Sequence, residues 1–520
     1  MLQAKTAFRP SQEISVPAMP LPVRTPAPRT RHPWVFLFLL MAFIVATRWP
    51  LAPKYLYYFD SANFALALEK FDPALHQPQP PGYPLFVALI RLIHFFVGAP
   101  EQVLLIAGLL AAFAATVLIY FLARDLYGAN SGILAAALLA SNPVFWFGGV
   151  TNQIRLFLAV IALGIGLLAW RALTRPDQPA WLYAAFAALG VAGGFRPGEA
   201  PLFIPLLAWV WWRTGRRLLP PLMTPLAALP WLAVTLSIVG GPARMLEIMG
   251  SYTGSQFGGT SWFYGAAPRA AWHMFLQAFA WYAFGPLLWM WAVCFLPWRP
   301  QRGIRRTRTL FLILAAAPPM LFSAFIHIGD PDQALAGVSI LCLIGGGVMS
   351  AFLARIGSRR VYRAAILLVA AGAFLFFHPP YHLARAASIK AVRDVDRLTS
   401  SAIDTIAELR GAGPVTILHW GSPVASRQLE FYFPEDYVSV LPTVTYEQPM
   451  VFHRHSSIPL PGGISGLIHP ASRRAICLVP TNAGSDILPG WRKAGPVYTL
   501  DTVPEAGLTL GPHHVAWDRE

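Results

Sequence analysis

Apolar runs of membrane-spanning character follow one another through most of this chain, and they decide what it can fold into. They lie near 33–47, 82–97, 102–122, 131–149, 154–173, 180–195, 199–212, 218–240, 270–297, 309–328, 335–354 and 364–378. A helix needs roughly 17–25 such residues to cross the hydrocarbon. Only 12% of the residues are charged, about half the share of a soluble chain. The 18 tryptophans suit the boundary between water and lipid. The expected class is therefore a polytopic helical membrane protein.

The net charge of +16 could point to nucleic acid, but the arginines sit in short loops between apolar runs. That is the positive-inside pattern of a membrane protein, and nucleic acid is excluded as a partner. Cys294, Cys342 and Cys477 form no disulfide framework. Residues 1–32 are basic and proline-rich, the composition of a disordered cytoplasmic terminus. No signal-peptide cleavage site follows the run at 33–47, which stays as the first span.

Charge also sets topology. The amino terminus, with Lys5, Arg9, Arg24, Arg29 and Arg31, belongs in the cytoplasm. So do the loops with Arg213, Arg216 and Arg217, with Arg299 through Arg308, and with Arg355 through Arg363. Simple alternation of all the runs puts these three loops outside. One run must fail to cross, and 82–97 is the choice: it is short, carries Arg91 and His94, and opens at a Pro-Pro-Gly turn. It is expected to lie in the outer leaflet.

That leaves about eleven crossings. The expected architecture is an all-α polytopic membrane protein, with further helices lying along its outer face. The first outer loop is 48–101, the transmembrane domain 33–378, and 379–520 an extracytoplasmic domain. Within that tail, 383–411 has helical periodicity. Strand-like runs at 415–419, 437–441 and 475–479, with a helix over 424–431 between the first two, suggest a small soluble α/β fold.

Four constellations could carry chemistry. Asp60 stands just after the first span, ahead of His76, Gln77, Gln79 and Tyr83 and the stiffening prolines Pro78, Pro80, Pro81 and Pro84. A carboxylate there could act on a lipid headgroup, or could cap a helix starting at Ser61. Arg196 and Glu199 lie between two apolar runs. Charges at that depth are costly unless paired or functional. They could close a helix turn as an ion pair, or Arg196 could hold a phosphate through its guanidinium fork. Asn152, Gln153 and Arg155 end a hydrophobic run and are either a helix terminus or part of a site. His327, Asp330, Asp332 and Gln333 end another. Asp330-Pro331 favours an ordinary turn, though it could line the same space as Asp60. Walker, dinucleotide and zinc motifs are absent from the sequence.

At these residues the chain resembles the GT-C superfamily of integral-membrane glycosyltransferases, of the protein O-mannosyltransferase kind. The likeness is strongest to a bacterial branch whose first loop reads Asp-Ser, a helix, then Gln-Pro-Pro-Gly-Tyr-Pro, here Asp60-Ser61 and Gln79 through Pro84. It covers about the first 215 residues and includes Arg124 through Gly128 and Asn142 through Trp146.

The resemblance implies first-loop helices lying along the membrane, a polyprenyl-phosphate sugar donor, and Asp60 as catalytic base. Substrate-binding roles would fall to His76, Gln79, Tyr83, Gln153, Arg155, Arg196, Glu199 and Asp330. The acceptor would be a hydroxyl of a protein, lipid or glycan. Relatives carry further acidic residues where this chain has Ser61, Asn63 and Gln153. The resemblance therefore favours no cofactor and no divalent metal. Two other functions stand beside the enzyme: a lipid or polysaccharide transporter, and a degenerate GT-C fold acting as a binding subunit. The transporter would show repeat symmetry between halves, which the sequence lacks.

Overall fold

A computed structural model describes residues 33–151, 154–216, 218–263, 302–327, 330–356, 360–380, 383–411, 413–419, 422, 424–440, 450–454, 456–459, 472, 474–478 and 492–500. The helices of the apolar part are α1 (Pro33–Arg48), α2 (Phe59–Glu69), α3 (Pro84–His94), α4 (Pro100–Tyr127), α5 (Ala129–Ser141) and α6 (Pro143–Val150). They continue as α7 (Leu156–Thr174), α8 (Ala180–Phe195), α9 (Ile204–Arg213), α10 (Leu219–Val239) and α11 (Pro242–Thr260). Further along the chain come α12 (Arg302–Phe325), α13 (Leu335–Arg355) and α14 (Val361–Phe377).

Among the described residues, six helices are long and apolar enough to cross a membrane, or seven if the bent pair α5–α6 counts as one span. This test does not reach the expected count of about eleven. The runs at 180–195 and 364–378 form shorter helices, and 199–212 is divided between a 3-10 turn and the ten-residue α9. The run at 270–297 lies outside the described residues. Helix α3 has 11 residues, about 16 Å at 1.5 Å per residue, too short for a hydrocarbon layer of about 30 Å. The segment 241–269 falls between the apolar runs 218–240 and 270–297 and so reads from sequence as an outer loop; it instead carries the 19-residue helix α11. Its glycines and polar residues hid the helix from a hydropathy reading.

The run at 131–149 is broken. Asn142 caps α6, its Oδ1 accepting from the backbone N–H groups of Val144 (3.0 Å) and Phe145 (3.3 Å). Pro143 at the first helical position needs no such partner. The two halves meet at 54°.

Helix α5 is buried along nearly its whole length, and small residues let its neighbours approach it closely. A Cβ on Gly346 of α13 would come within 2.6 Å of the Ala135 backbone N. Gly346→Ala should therefore lower stability by about 1–3 kcal/mol through overpacking. Gly254→Ala on α11, where nothing lies within 4 Å, should not lower it and should raise it by up to about 1 kcal/mol through helix propensity. Thermal unfolding of the two variants in detergent checks this.

The carboxyl-terminal unit follows as α15 (Ile389–Arg410), β1 (Thr416–His419), α16 (Ser426–Tyr432), β2 (Tyr437–Val440), β3 (Met450–His453), β4 (Ser456–Pro459), β5 (Ala475–Leu478), β6 (Arg492–Ala494) and β7 (Val497–Leu500). The strands form one sheet in the order β4-β3-β2-β1-β5-β7-β6. The centre is parallel, with Thr416 beside Tyr437 and Ala475, and the flanks are antiparallel. Ala402, Ile403 and Ile406 recur at helical spacing on α15 and share a core with Ile417, Leu429, Val438 and Ile476.

Candidate functional site

Asp60 lies in the first turn of α2, whose N-cap is Tyr58 and not Asp60. The carboxylate is therefore not consumed in capping, while the helix N-terminus still favours its negative charge. Its side chain is 30% exposed, and one oxygen stands 3.4 Å from Nη2 of Arg155.

Arg155 is the hub. It emerges just before α7, after the bent pair, and its side chain is only 8% exposed. The same guanidinium reaches Asp330 at 3.9 Å and Asp332 at 3.9 Å. In the amide orientation that satisfies both of its ends, the Gln333 oxygen also accepts from Arg155 (3.2 Å) and from His327 Nε2 (3.2 Å). Burial works against the charge on Arg155, but Asp332, Asp60 and Asp330 outweigh it and hold the guanidinium above its ordinary pKa. Asp332 is fully buried, and its oxygens have no hydrogen-bond partner among the described residues. Arg155 is the cation that faces it. Helix α6 passes beside it: a Cβ built on Gly148 would sit 3.6 Å from Asp332 Oδ2, in ordinary contact.

The expected turn at Asp330-Pro331 is present as a 3-10 turn, Pro331–Ala334, but Asp330 makes no side-chain cap there. It joins Asp60 instead. Arg196 and Glu199 do form the ion pair read as the simpler alternative. Arg196 is also buried against the Tyr83 ring, 5.5 Å from its centroid, and its Nε has no partner among the described residues. Tyr83 feels Arg196, Glu199, Asp60 and Arg155, so the two clusters form one electrostatic neighbourhood. Burial pushes the Tyr83 hydroxyl up to about 12, keeping it neutral.

Gln79 is buried beneath α2, where its oxygen faces Asn63 Nδ2 at 3.4 Å. It supports the helix that bears Asp60. His76 packs edge-on against Tyr252 of α11, with ring centroids 5.6 Å apart. Tyr252 in turn senses Tyr83 and Asp60. Nothing in the sequence singled out Tyr252, because its segment was expected as a loop. Gln153 lies outside the described residues. No group of three or more His, Cys, Asp or Glu with metal-binding geometry occurs among the described residues.

Burial lowers the His76 pKa to about 4, helped by Arg427. Burial lowers His327 to about 3, helped by Arg155 and Arg196. Both rings are neutral in the fold, so the unfolded chain takes up protons first as acid is added. The stability this gives is complete above pH 6.5 and is lost as pH falls towards about 4 and about 3 respectively. A His76→Asn/His327→Asn variant should lose less melting temperature than the parent between pH 6.5 and 4, read by thermal unfolding at a series of pH values.

Residues 77–240 match the model of the dolichyl-phosphate-mannose-protein mannosyltransferase family. The matched segment holds Gln79, Tyr83, Arg155, Arg196 and Glu199, and leaves Asp60 and Asp330 outside it. No curated protein matches the chain. Among solved structures, ArnT from Cupriavidus metallidurans in the apo state aligns with 14% identity and TM-score 0.55, over 90% of this chain and 97% of that one. The same protein bound to undecaprenyl phosphate aligns with 15% identity and TM-score 0.54, over 78% and 85%. The likeness carried by the first-loop residues thus extends to sequence over 77–240 and to fold over most of the chain. The chain shares the fold of ArnT over most of its length and, over 77–240, matches the dolichyl-phosphate-mannose-protein mannosyltransferase family.

Proposed function

We propose that this chain is a membrane glycosyltransferase that moves a sugar from a polyprenyl-phosphate donor to an acceptor hydroxyl, with Asp60 as general base and inversion at the sugar carbon. One observation carries the reading: a partly exposed carboxylate, free of any capping duty, is held by a buried guanidinium within one charged neighbourhood that includes Arg196. The fold shared with a protein crystallised with undecaprenyl phosphate supports the donor class.

Asp60 takes the acceptor's proton as its oxygen attacks the anomeric carbon. The bond from that carbon to the phosphate oxygen breaks, and polyprenyl phosphate leaves as a dianion. Arg155, engaged by three carboxylates, orients Asp60 rather than binding phosphate. Arg196 is the better phosphate partner, since Glu199 occupies only one arm of its fork and its Nε is unpaired among the described residues. Tyr83, held neutral, can donate a hydrogen bond to the same group. No second carboxylate or metal is needed for a single inverting displacement.

The positive-inside pattern supports an inner-membrane protein with a cytoplasmic amino terminus and an extracytoplasmic carboxyl-terminal unit. The acceptor is a protein, lipid or glycan hydroxyl on that outer face. Mass spectrometry of envelope lipids, glycans and glycoproteins with and without the gene tests the proposal. A product missing one sugar is expected in the deletion and restored by the intact chain. Identical profiles, together with no transfer by the purified protein from polyprenyl-phosphate sugars, would sink it.

A further inference from the structure

Helix α16 of the carboxyl-terminal unit grips both ends of the segment that carries Asp60. At one end, Gln428 Nε2 donates to the Leu56 carbonyl. The Tyr432 hydroxyl accepts from the Leu56 N–H at 2.9 Å and donates to Glu101. At the other end, Arg427 donates to the carbonyl of Leu75, next to His76. Arg427 and Gln428 are only 3% and 1% exposed. Arg427 is fixed further by Glu430 at 2.5 Å and by the face of Phe452, 4.8 Å away. Helix α15 adds to the hold: the Lys54 N–H donates to Asp396 (2.7 Å), and the Tyr55 hydroxyl donates to Asp404 (2.6 Å).

The density of these contacts is hard to explain as simple tethering. A domain attached only by its linker would meet the bundle through exposed, polar, replaceable contacts. Here the buried side chains of Arg427 and Gln428 meet backbone carbonyls, that of Leu56 fully buried and that of Leu75 partly so, and buried donors are costly to leave unsatisfied. They fall four residues before Asp60 and one before His76. We propose that Arg427 and Gln428 are positioning residues, and that the carboxyl-terminal unit is a structural half of the active site which fixes the geometry of 56–76. The loop claim stands on contacts alone; its catalytic consequence rests on the glycosyltransferase reading above.

The test compares full-length variants in detergent. Arg427→Leu/Glu430→Leu removes both buried charges together, so that neither is left unpaired. Gln428→Leu releases the Leu56 end separately. Hydrogen exchange of peptides within 56–76 should speed up by about tenfold or more in either variant, with α4 and α7 unchanged. Turnover should fall by about tenfold or more with the donor KM within about twofold. Arg427→Lys, which keeps the ion pair and an N–H donor, should recover part of the turnover.

Unchanged exchange across 56–76 in a folded variant would overturn the proposal, and so would faster exchange with full turnover. If the double variant does not fold, Gln428→Leu and Tyr432→Phe carry the same expectations at the Leu56 end. If the parent chain transfers no sugar while exchange still accelerates, the positioning contacts stand and the glycosyltransferase reading fails. The two claims are thus separable.

Discussion

Asp60→Asn should reduce sugar transfer by about 10²–10⁴-fold, the usual contribution of a positioned general base. The amide keeps the size of the side chain and can still face Arg155, so folding and donor binding should persist. Asp60 is 30% exposed and caps nothing, which means its replacement leaves no buried group orphaned. The measurement is turnover with a polyprenyl-phosphate sugar beside photo-crosslinking of the same donor. Loss of turnover with crosslinking retained is expected. Full turnover in this variant would remove Asp60 from the mechanism.

Arg155→Leu should have the largest effect on the fold itself. It takes from the fully buried Asp332 the guanidinium that reaches it at 3.9 Å, leaving Arg196 as the other cation that acts on it. Breaking a buried pair by deleting one partner costs about 3–5 kcal/mol, a large part of an ordinary protein's stability. The variant should give a low yield of monodisperse protein and a depressed melting temperature. Arg155→Leu/Asp332→Leu should regain much of the loss, because Asp60 and Asp330 are 30% and 41% exposed and can be solvated. Turnover should stay low in the double variant, since Asp60 has lost the group that orients it. Arg155→Lys should fall between, as an ammonium reaches fewer carboxylates at once than a planar fork. If the double variant melts no higher than the single, Asp332 is not what Arg155 neutralises.

The sequence made each charged residue of the site visible, because a carboxylate or guanidinium between apolar runs stands out. It did not make their meeting visible. Asp60 and Arg155 are 95 positions apart, and nothing local in either segment encodes the other. The parity of basic loops did mark 82–97 as exceptional, and the short α3 agrees with that. Helix α11 and its Tyr252 were missed because a glycine-rich polar stretch reads as a loop until it is packed. Strands β1, β2 and β5 were legible as runs of buried β-branched and apolar residues. Strands β3, β4, β6 and β7 are no shorter than these, apart from the three-residue β6, but β6 is exposed or half-buried throughout and so shows no apolar run. Arg48 stands just past the apolar run 33–47. In the fold it is fully buried, with its guanidinium on the Trp146 ring at 4.7 Å and donating to the Ala140 carbonyl at 2.6 Å. It thereby answers a carbonyl freed where α5 stops.

That stop has a consequence for how far the chain advances along α5. An unbroken helix would carry the eight residues of α6 about 12 Å further along the axis of α5. Turned through 54°, the same residues advance only about 7 Å. The segment leading to Arg155 is thus held back by about 5 Å from the level a straight rod would reach. The guanidinium is only 8% exposed where it meets the acids, so its attraction to them is screened less than it would be in water. Straightening the break would carry the guanidinium away from all three acids at once.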